Sequence, residues 1–297
     1  MLTIGLPFYN ASKTLAWAIQ SVFAQSYQDW ELLLVDDGST DHSVEIARNI
    51  QDDRVRVYSD GKNKGLATRL NQIAEMANGR YLARMDADDL MHPGRLSQQL
   101  LTFEADPQLD LVDTGLLSIN ELNQPMGLRC CHPLDVSRLG LLRGQIPVHA
   151  SIVAKTEWYR RNQYNGNLER AQDFELWNRS YAESGWQHAR VTKPLYFARE
   201  SAVGSYRKAR ATHTVRRQVL RSLGTPNVGW QKTQVELFKT NAKQAAHLVA
   251  SYLRMDHHII ARRNRPIETG QAHAFRKVIQ QILETPVPGL TRTQVAA

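Results

Sequence analysis

Through its first 118 residues the chain alternates short apolar runs with segments of helical period, and this alternation restricts the fold more than any other feature. Leu2-Thr3-Ile4-Gly5-Leu6 reads as a short buried strand. In the helix that follows, Leu15, Ala18, Ile19, Val22 and Phe23 keep the 3.6-residue period, with Asn10 or Ser12 as the expected cap. Residues 30–35 form a second strand, stopped by Asp36-Asp37-Gly38-Ser39-Thr40-Asp41. A helix capped by Asp41 then runs through Val44, Ile46 and Ala47. Val55-Arg56-Val57-Tyr58 is a third strand, residues 65–77 a helix broken by Gly79, and residues 80–85 a fourth strand. Strands joined by single helices predict βαβ units on a mostly parallel sheet. Ligands of such sheets sit beyond the carboxyl ends of the strands.

Both acidic clusters of this half fall at those ends. Met85-Asp86-Ala87-Asp88-Asp89 crowds three carboxylates onto the close of an apolar run. Carboxylates this close repel, and holding them there is costly unless a cation is shared. Hard oxygen ligands on a short turn suit Mg²⁺ or Mn²⁺, which keeps waters and takes further oxygens from a substrate's phosphates. Capping of the helix opened by Pro93 accounts for Asp88 or Asp89, but not for all three. Asp36 and Asp37 suit the N–H of a uracil or guanine, or ribose hydroxyls; as plain turn residues they would need no ligand. Pro7-Phe8-Tyr9-Asn10 offers a ring edge and an amide to frame a base. Asn63-Lys64-Gly65-Leu66 opens the third helix, where backbone N–H groups favour an anion. The pattern predicts a metal-dependent site for a nucleotide diphosphate.

Composition narrows the setting. The hydrophobic share of 42% suits a packed core, and no stretch approaches the roughly 20 apolar residues of a membrane span. The amino terminus lacks the basic start and apolar run of a signal peptide. Cys130 and Cys131 are adjacent and poorly placed for an ordinary disulfide. A cytoplasmic location is expected. Residues 205–297 hold sixteen Lys and Arg against four Asp and Glu, a net of +12, which leaves −4 for the other 204 residues. An acidic body with a basic tail suggests contact with something anionic, such as a membrane surface, a lipid diphosphate or nucleic acid; solvated helices with Arg-rich outer faces explain the same numbers. The basic residues are not interleaved with aromatics in a nucleic-acid-binding pattern, so no nucleic-acid partner is expected.

Three regions are expected: residues 1–118 as a nucleotide-binding half, 119–204 as a second half with shorter elements, and 205–297 as a basic helical extension. A helix is predicted over residues 171–184, then helices over 212–223, 231–253 and 271–283. The end, with Pro286, Pro288 and Gly289, is expected to fray.

In order along the chain, the motifs resemble a family 2 glycosyltransferase of the GT-A type, inverting and non-processive. The resemblance runs from Pro7-Phe8-Tyr9-Asn10 and Trp30-Glu31-Leu32 through Val35-Asp36-Asp37-Gly38-Ser39-Thr40-Asp41. It continues in Asn63-Lys64-Gly65-Leu66-Ala67, Leu70-Asn71 and Gly79-Arg80-Tyr81, then Ala83-Arg84-Met85-Asp86-Ala87-Asp88-Asp89, Pro93 and Arg95-Leu96. It covers about two thirds of the chain, from Leu2 to near Val203. It implies a GT-A fold, a Rossmann-like, mostly parallel sheet flanked by helices, carrying a helical extension. It also implies a nucleotide-sugar donor, a UDP-sugar foremost, and a divalent metal, Mg²⁺ or Mn²⁺. Pro7, Tyr9, Asn10, Asp36, Asp37, Asn63 and Gly65 would meet the nucleotide, Asp86 and Ala87 the ribose and sugar, and Asp88 the metal.

The family's acidic pair at a helix start corresponds to Gln172-Asp173, ahead of Phe174-Glu175-Leu176-Trp177, which makes Asp173 the implied base. Gln172 replaces the usual glutamate and removes a charge that would raise its neighbour's pKa. His149-Ala150-Ser151 stands where His-Pro-Ser is frequent, so His149, Gln172 and Trp177 are assigned to the acceptor. A Tyr-Arg-x-His pattern is replaced by Ala198-Arg199-Glu200-Ser201, leaving Arg199, or Tyr206-Arg207, to grip the diphosphate. The processive Gln-x-x-Arg-Trp signature is absent. The expected activity is transfer of one sugar to a glycan or lipid-linked acceptor in surface polysaccharide biosynthesis. Membrane association would come through the basic helices, and those amphipathic helices would equally serve a homo-oligomer. The rival readings are a nucleotidyltransferase, which would show a Gly-rich, Arg-containing opening loop, a non-enzymatic nucleic-acid-binding protein, and a degenerate transferase.

Overall fold

The computed structural model describes residues 1–134, 136–200, 206–252 and 264–290, apart from the Lys208 side chain. Its first half follows the alternation in the sequence: β1 (Leu2–Phe8), α1 (Leu15–Phe23), β2 (Trp30–Asp36), α2 (Ser43–Arg48), β3 (Val55–Tyr58), α3 (Leu66–Met76) and β4 (Tyr81–Arg84). Next come β5 (Leu90–Met91), α4 (Arg95–Ala105), β6 (Leu111–Ile119) and β7 (Pro125–Arg129). They are followed by α5 (Arg138–Arg143), a 3₁₀ turn (His149–Ser151), β8 (Val153–Lys155), α6 (Thr156–Arg161), α7 (Gln172–Glu183) and β9 (His188–Arg199).

The nine strands form one sheet in the order β3-β2-β1-β4-β8-β6-β9-β5, with β7 beside β6. β1 to β4 pair in parallel, as do β6 and β9, whereas β5, β7 and β8 run the other way. β1, β2 and β6 are buried along their whole length, as expected of strands covered on both faces. One face packs Leu15, Ile19 and Val22 of α1, Ile46 of α2 and Leu96, Leu100 and Phe103 of α4. The other packs Leu70 and Ile73 of α3, Trp158 of α6 and Leu176 and Trp177 of α7.

The first turn departs from expectation. No side chain caps α1, which starts at Leu15. Asn10 instead takes a left-handed φ of 47° and accepts from the Thr40 N–H through Oδ1, and the Ser12 N–H donates to Asp41. Asp41 also accepts from the Ser43 N–H, but the expected cap is displaced: His42 is the N-cap residue of α2 and no side chain caps the helix, so Asp41 ties the turn one residue ahead of it.

Beyond β9 come α8 (Tyr206–Val219), a π-helical turn (Leu220–Gly224), α9 (Thr225–Val228), α10 (Trp230–Tyr252) and α11 (Thr269–Leu283). The expected boundary between residues 204 and 205 lies outside the described residues, as does residue 253. Val215, Val219 and Leu220 pack on Leu142 of α5 and Phe174 of α7. α11 instead crosses to the other end of the sheet, where Ile279 and Ile282 meet Leu90, Leu117, Ile119 and Phe197. The Gln20 side-chain amide donates to the Leu283 and Thr285 carbonyls at 2.7 and 3.1 Å. The expected fraying fails as far as Leu290. The Gln51 N–H donates to the Pro288 carbonyl, Val287 joins the main core, and Gly289 at φ 87° passes so close to the Asn49 carbonyl that no Cβ would fit.

Candidate active site

The parallel pairing sets the carboxyl ends of β1, β2 and β4 side by side, with Phe8 opposite Asp36 and Gly5 opposite Arg84. Pro7 is buried inside β1, while Tyr9 just beyond it is 51% exposed. Asp36 accepts from the Ser39 N–H at 2.9 Å and the Ser59 hydroxyl at 2.6 Å. Burial alone would raise its carboxyl, but these donors outweigh burial and hold it below the usual carboxylate range. Asp37 turns the other way. It accepts from the Lys64 and Gly65 N–H groups at the head of α3 and from Arg69 Nε at 3.0 Å. Gly38, at φ 76°, lies against the backbone of Lys62 and Asn63, where a Cβ would sit 2.7 Å from the Asn63 nitrogen. The Asp36–Ser39 turn and the exposed Asn63 therefore form one wall.

The acidic turn after β4 brings carboxylate oxygens of Asp86, Asp88 and Asp89 within 4.8 Å of one another. Each is held differently. Arg84 grips Asp86 with two hydrogen bonds, Nη2 to Oδ1 at 2.6 Å and Nη1 to Oδ2 at 3.1 Å. Asp89 is buried and accepts from the Arg199 N–H at 2.7 Å; burial, then repulsion from Asp88 and Asp86, pushes its carboxyl well up. Asp88 opens to solvent, yet protein rings it closely, and that crowding together with Asp86 raises its carboxyl too. A set of oxygen donors that are hard to ionise together, one of them open to solvent, fits a divalent cation shared with phosphate oxygens. The turn is tied down from several sides. Thr14 Oγ1 donates to the carbonyl of buried Ala87 at 2.9 Å, and the Asp86 N–H donates to the Tyr196 hydroxyl at 3.1 Å.

Arg199 stands at the end of β9 as part of this scaffold. Its Nε donates to the Asp88 carbonyl at 2.8 Å, Nη1 to the Asn120 carbonyl at 2.7 Å and Nη2 to Asn123 at 2.6 Å. Arg95, named in the sequence only as part of the family motif and given no role there, is buried and likewise donates to the Arg84 carbonyl at 3.0 Å and lies over the Tyr196 ring.

Asp173 sits in the first turn of α7, after Ala171 at a left-handed φ of 52°. Burial raises its carboxyl, and Arg84 and Arg216 pull it back only in part. The charge of Arg84 also bears on Tyr164 and His149. His149 Nε2 and the Tyr164 hydroxyl are 2.8 Å apart, and burial, aided by Arg84, depresses the imidazole well below its ordinary pKa, leaving it neutral. The turn bearing His149 hangs from Asp113, which accepts from the Val148 N–H, His188 and Arg190. Trp177 is corrected. It is fully buried and stacked on Trp158, so its ring belongs to the core and cannot touch an acceptor. Gln172, beside Asp173, is also largely buried.

Sequence and fold comparisons agree with this geometry. The family model described as glycosyl transferase family 2 matches residues 3–133. EpsE of Bacillus subtilis (strain 168), which carries a glycosyltransferase name, is 31% identical over 74% of this chain and 80% of its own length. WfgD of Escherichia coli, named a UDP-Glc:α-D-GlcNAc-diphosphoundecaprenol β-1,3-glucosyltransferase, is 34% identical over 34% of this chain and 40% of its own. Staphylococcus aureus TarS 1-349, solved with UDP-GlcNAc, shares the GT-A fold at a TM-score of 0.61, with 14% identity over 96% of this chain and 81% of that one. The curled, mostly parallel sheet, the acidic turn at its carboxyl edge and the EpsE match together place the chain in glycosyl transferase family 2, as a glycosyltransferase.

Proposed function

We propose that the protein transfers one sugar, with inversion, from a nucleotide-sugar donor to a glycan or lipid-linked saccharide acceptor of surface polysaccharide biosynthesis. A UDP-sugar is the favoured donor. The observation that carries this reading is the meeting of two differently perturbed carboxylate groups around Arg84: the acidic turn on one side, Asp173 on the other.

Tyr9, Asn10, Asp36 and Asn63 would line the base and ribose, with Asp37 setting the wall by anchoring Gly65 and α3. Asp86, held by Arg84, would accept from ribose or sugar hydroxyls. Asp88, with Asp86 and Asp89 beside it, would hold Mg²⁺ or Mn²⁺, and a bound cation offsets charge on the leaving nucleoside diphosphate. Asp173 takes the proton of the acceptor hydroxyl as its oxygen bonds to the anomeric carbon. The bond from that carbon to the diphosphate oxygen breaks, and its electron pair leaves with the nucleoside diphosphate. A carboxylate raised by burial is a stronger proton acceptor than an exposed one. Neutral His149, with Tyr164, would meet the acceptor, and Arg199 would support the diphosphate by fixing the acidic turn. No helix among the described residues is long and apolar enough to cross a membrane. In this reading a lipid-linked acceptor is met at the cytoplasmic membrane surface through the basic C-terminal helices.

Thermal shift with Mn²⁺ or Mg²⁺ and a panel of nucleoside diphosphates and sugar nucleotides tests the site, because a ligand selective for the folded state raises Tm. A metal-dependent shift lost in Asp88→Ala is expected. A protein that responds to no nucleotide with either metal would sink the reading.

A further inference from the structure

α10 leaves one face uncovered. Trp230, Val235, Phe238, Leu248, Val249 and Tyr252 are exposed by 66, 48, 74, 50, 56 and 87%, an unusual share of apolar side chains for one helix. Val235, Phe238, Ala242, Ala245, Val249 and Tyr252 recur at alternating three- and four-residue steps and so form one stripe along the 23-residue helix. Its opposite side, with Thr233, Glu236 and Thr240, is buried toward α8 and the π-helical turn.

Charge chooses the occupant. At about 100° per residue, Lys232, Lys239 and Lys243 all fall on one flank of the stripe, roughly 40–80° from Val235. The only carboxylate of α10, Glu236, is buried and paired with Arg143 at 3.1 Å and Lys239 at 2.9 Å. Arg207, Arg210 and Arg221 are exposed on the elements beneath. A second copy fits poorly, because a two-fold antiparallel pairing of the stripe would set lysine flank against lysine flank with no acid between them. An anionic bilayer fits both features: the apolar stripe enters the interfacial layer while the lysines stay among the headgroups.

We propose that the outer face of α10 docks flat on an anionic lipid surface. The proposal rests on the reading of the protein as a transferase whose acceptor lies at a membrane, and it names the surface involved. α10 packs on α8, and α8 on α7, whose first turn carries Asp173; the Arg216 guanidinium lies 4.4 Å from the Phe174 ring centroid across that contact.

The experiment is co-sedimentation of the full chain with phosphatidylcholine vesicles, with and without phosphatidylglycerol. Alongside run Phe238→Glu/Val249→Glu and Lys232→Gln/Lys239→Gln/Lys243→Gln, with sedimentation equilibrium and the nucleotide-dependent thermal shift on each. The wild type should pellet only with anionic vesicles, and each variant should lose on the order of tenfold or more in partitioning while keeping its thermal shift and mass. A wild type that stays in the supernatant overturns the proposal, as does an apolar-stripe variant that still pellets. A wild-type dimer that ignores vesicles and dissociates on Phe238→Glu/Val249→Glu overturns it in favour of a second copy. Pelleting without any nucleotide response would instead leave the surface standing and remove the transferase reading.

Discussion

Arg84 holds both oxygens of Asp86 from two residues earlier in the chain, and its guanidinium is almost wholly buried beneath the acidic turn. Its Nε has no hydrogen-bond partner among the described residues. The same charge lowers Asp173 against the effect of burial. One side chain thus orients a donor-side carboxylate and biases the proposed base. Arg84→Met should raise the donor KM and lower kcat/KM on the order of 10²-fold. It should also move the acidic limb of the pH profile upward, because removing a cation makes Asp173 harder to ionise. Arg84→Lys keeps the charge and loses the two-pronged grip, so the limb should stay while KM rises. Initial rates across pH for both variants check this.

Asp173→Asn should reduce kcat on the order of 10²- to 10⁴-fold while the nucleotide thermal shift is retained. In the wild type the acidic limb should lie above the ordinary carboxylate range, because burial raises Asp173 and activity needs it ionised. Loss of donor binding together with turnover would place Asp173 on the donor instead.

Ile282→Ala should cost about 2–5 kcal/mol, since Ile282 is fully buried against Leu90, Leu117 and Phe197. Chemical denaturation measures it. A negligible change would mean that α11 is a detachable arm.

Asp41→Ala should destabilise by about 1 kcal/mol, because it leaves the Ser12 and Ser43 N–H groups without their acceptor. Burial opposes ionisation of Asp41, but donors from Ser43 and Ser12 prevail and lower it to about 2. Its stabilisation is therefore complete above its unfolded pKa of about 4 and lost as pH falls through about 2. The gap between wild type and variant in urea melts should narrow over that interval.

Much of this was legible in the sequence because it was local. The strands of the first half are mainly apolar runs, and both acidic clusters interrupt those runs at their ends. The distribution of work among the carboxylates was not legible. Asp36 and Asp37 are neighbours in sequence, yet one accepts from Ser39 and Ser59 and the other anchors α3 and buried Arg69. Asp113, His188 and Arg190 form a buried network across some 75 residues, which no local pattern encodes. Trp177 shares its motif and its helix face with Asp173, but it stands about one turn further along α7, where the face is packed into the core. The proline- and glycine-rich end read as loose because its partners, Asn49 and Gln51, lie at the opposite end of the chain.

That last contact bears on how the protein is made. Gln20 and Leu283 meet across 263 positions of sequence, and Val287 completes the layer begun by α1 and α2. The strands β1 to β4 are synthesised well before the segment that carries Val287, so part of that layer stays uncovered until Val287 follows. Contacts of such long range are slow to close, and an apolar face left waiting during synthesis is a point at which a nascent chain depends on chaperones.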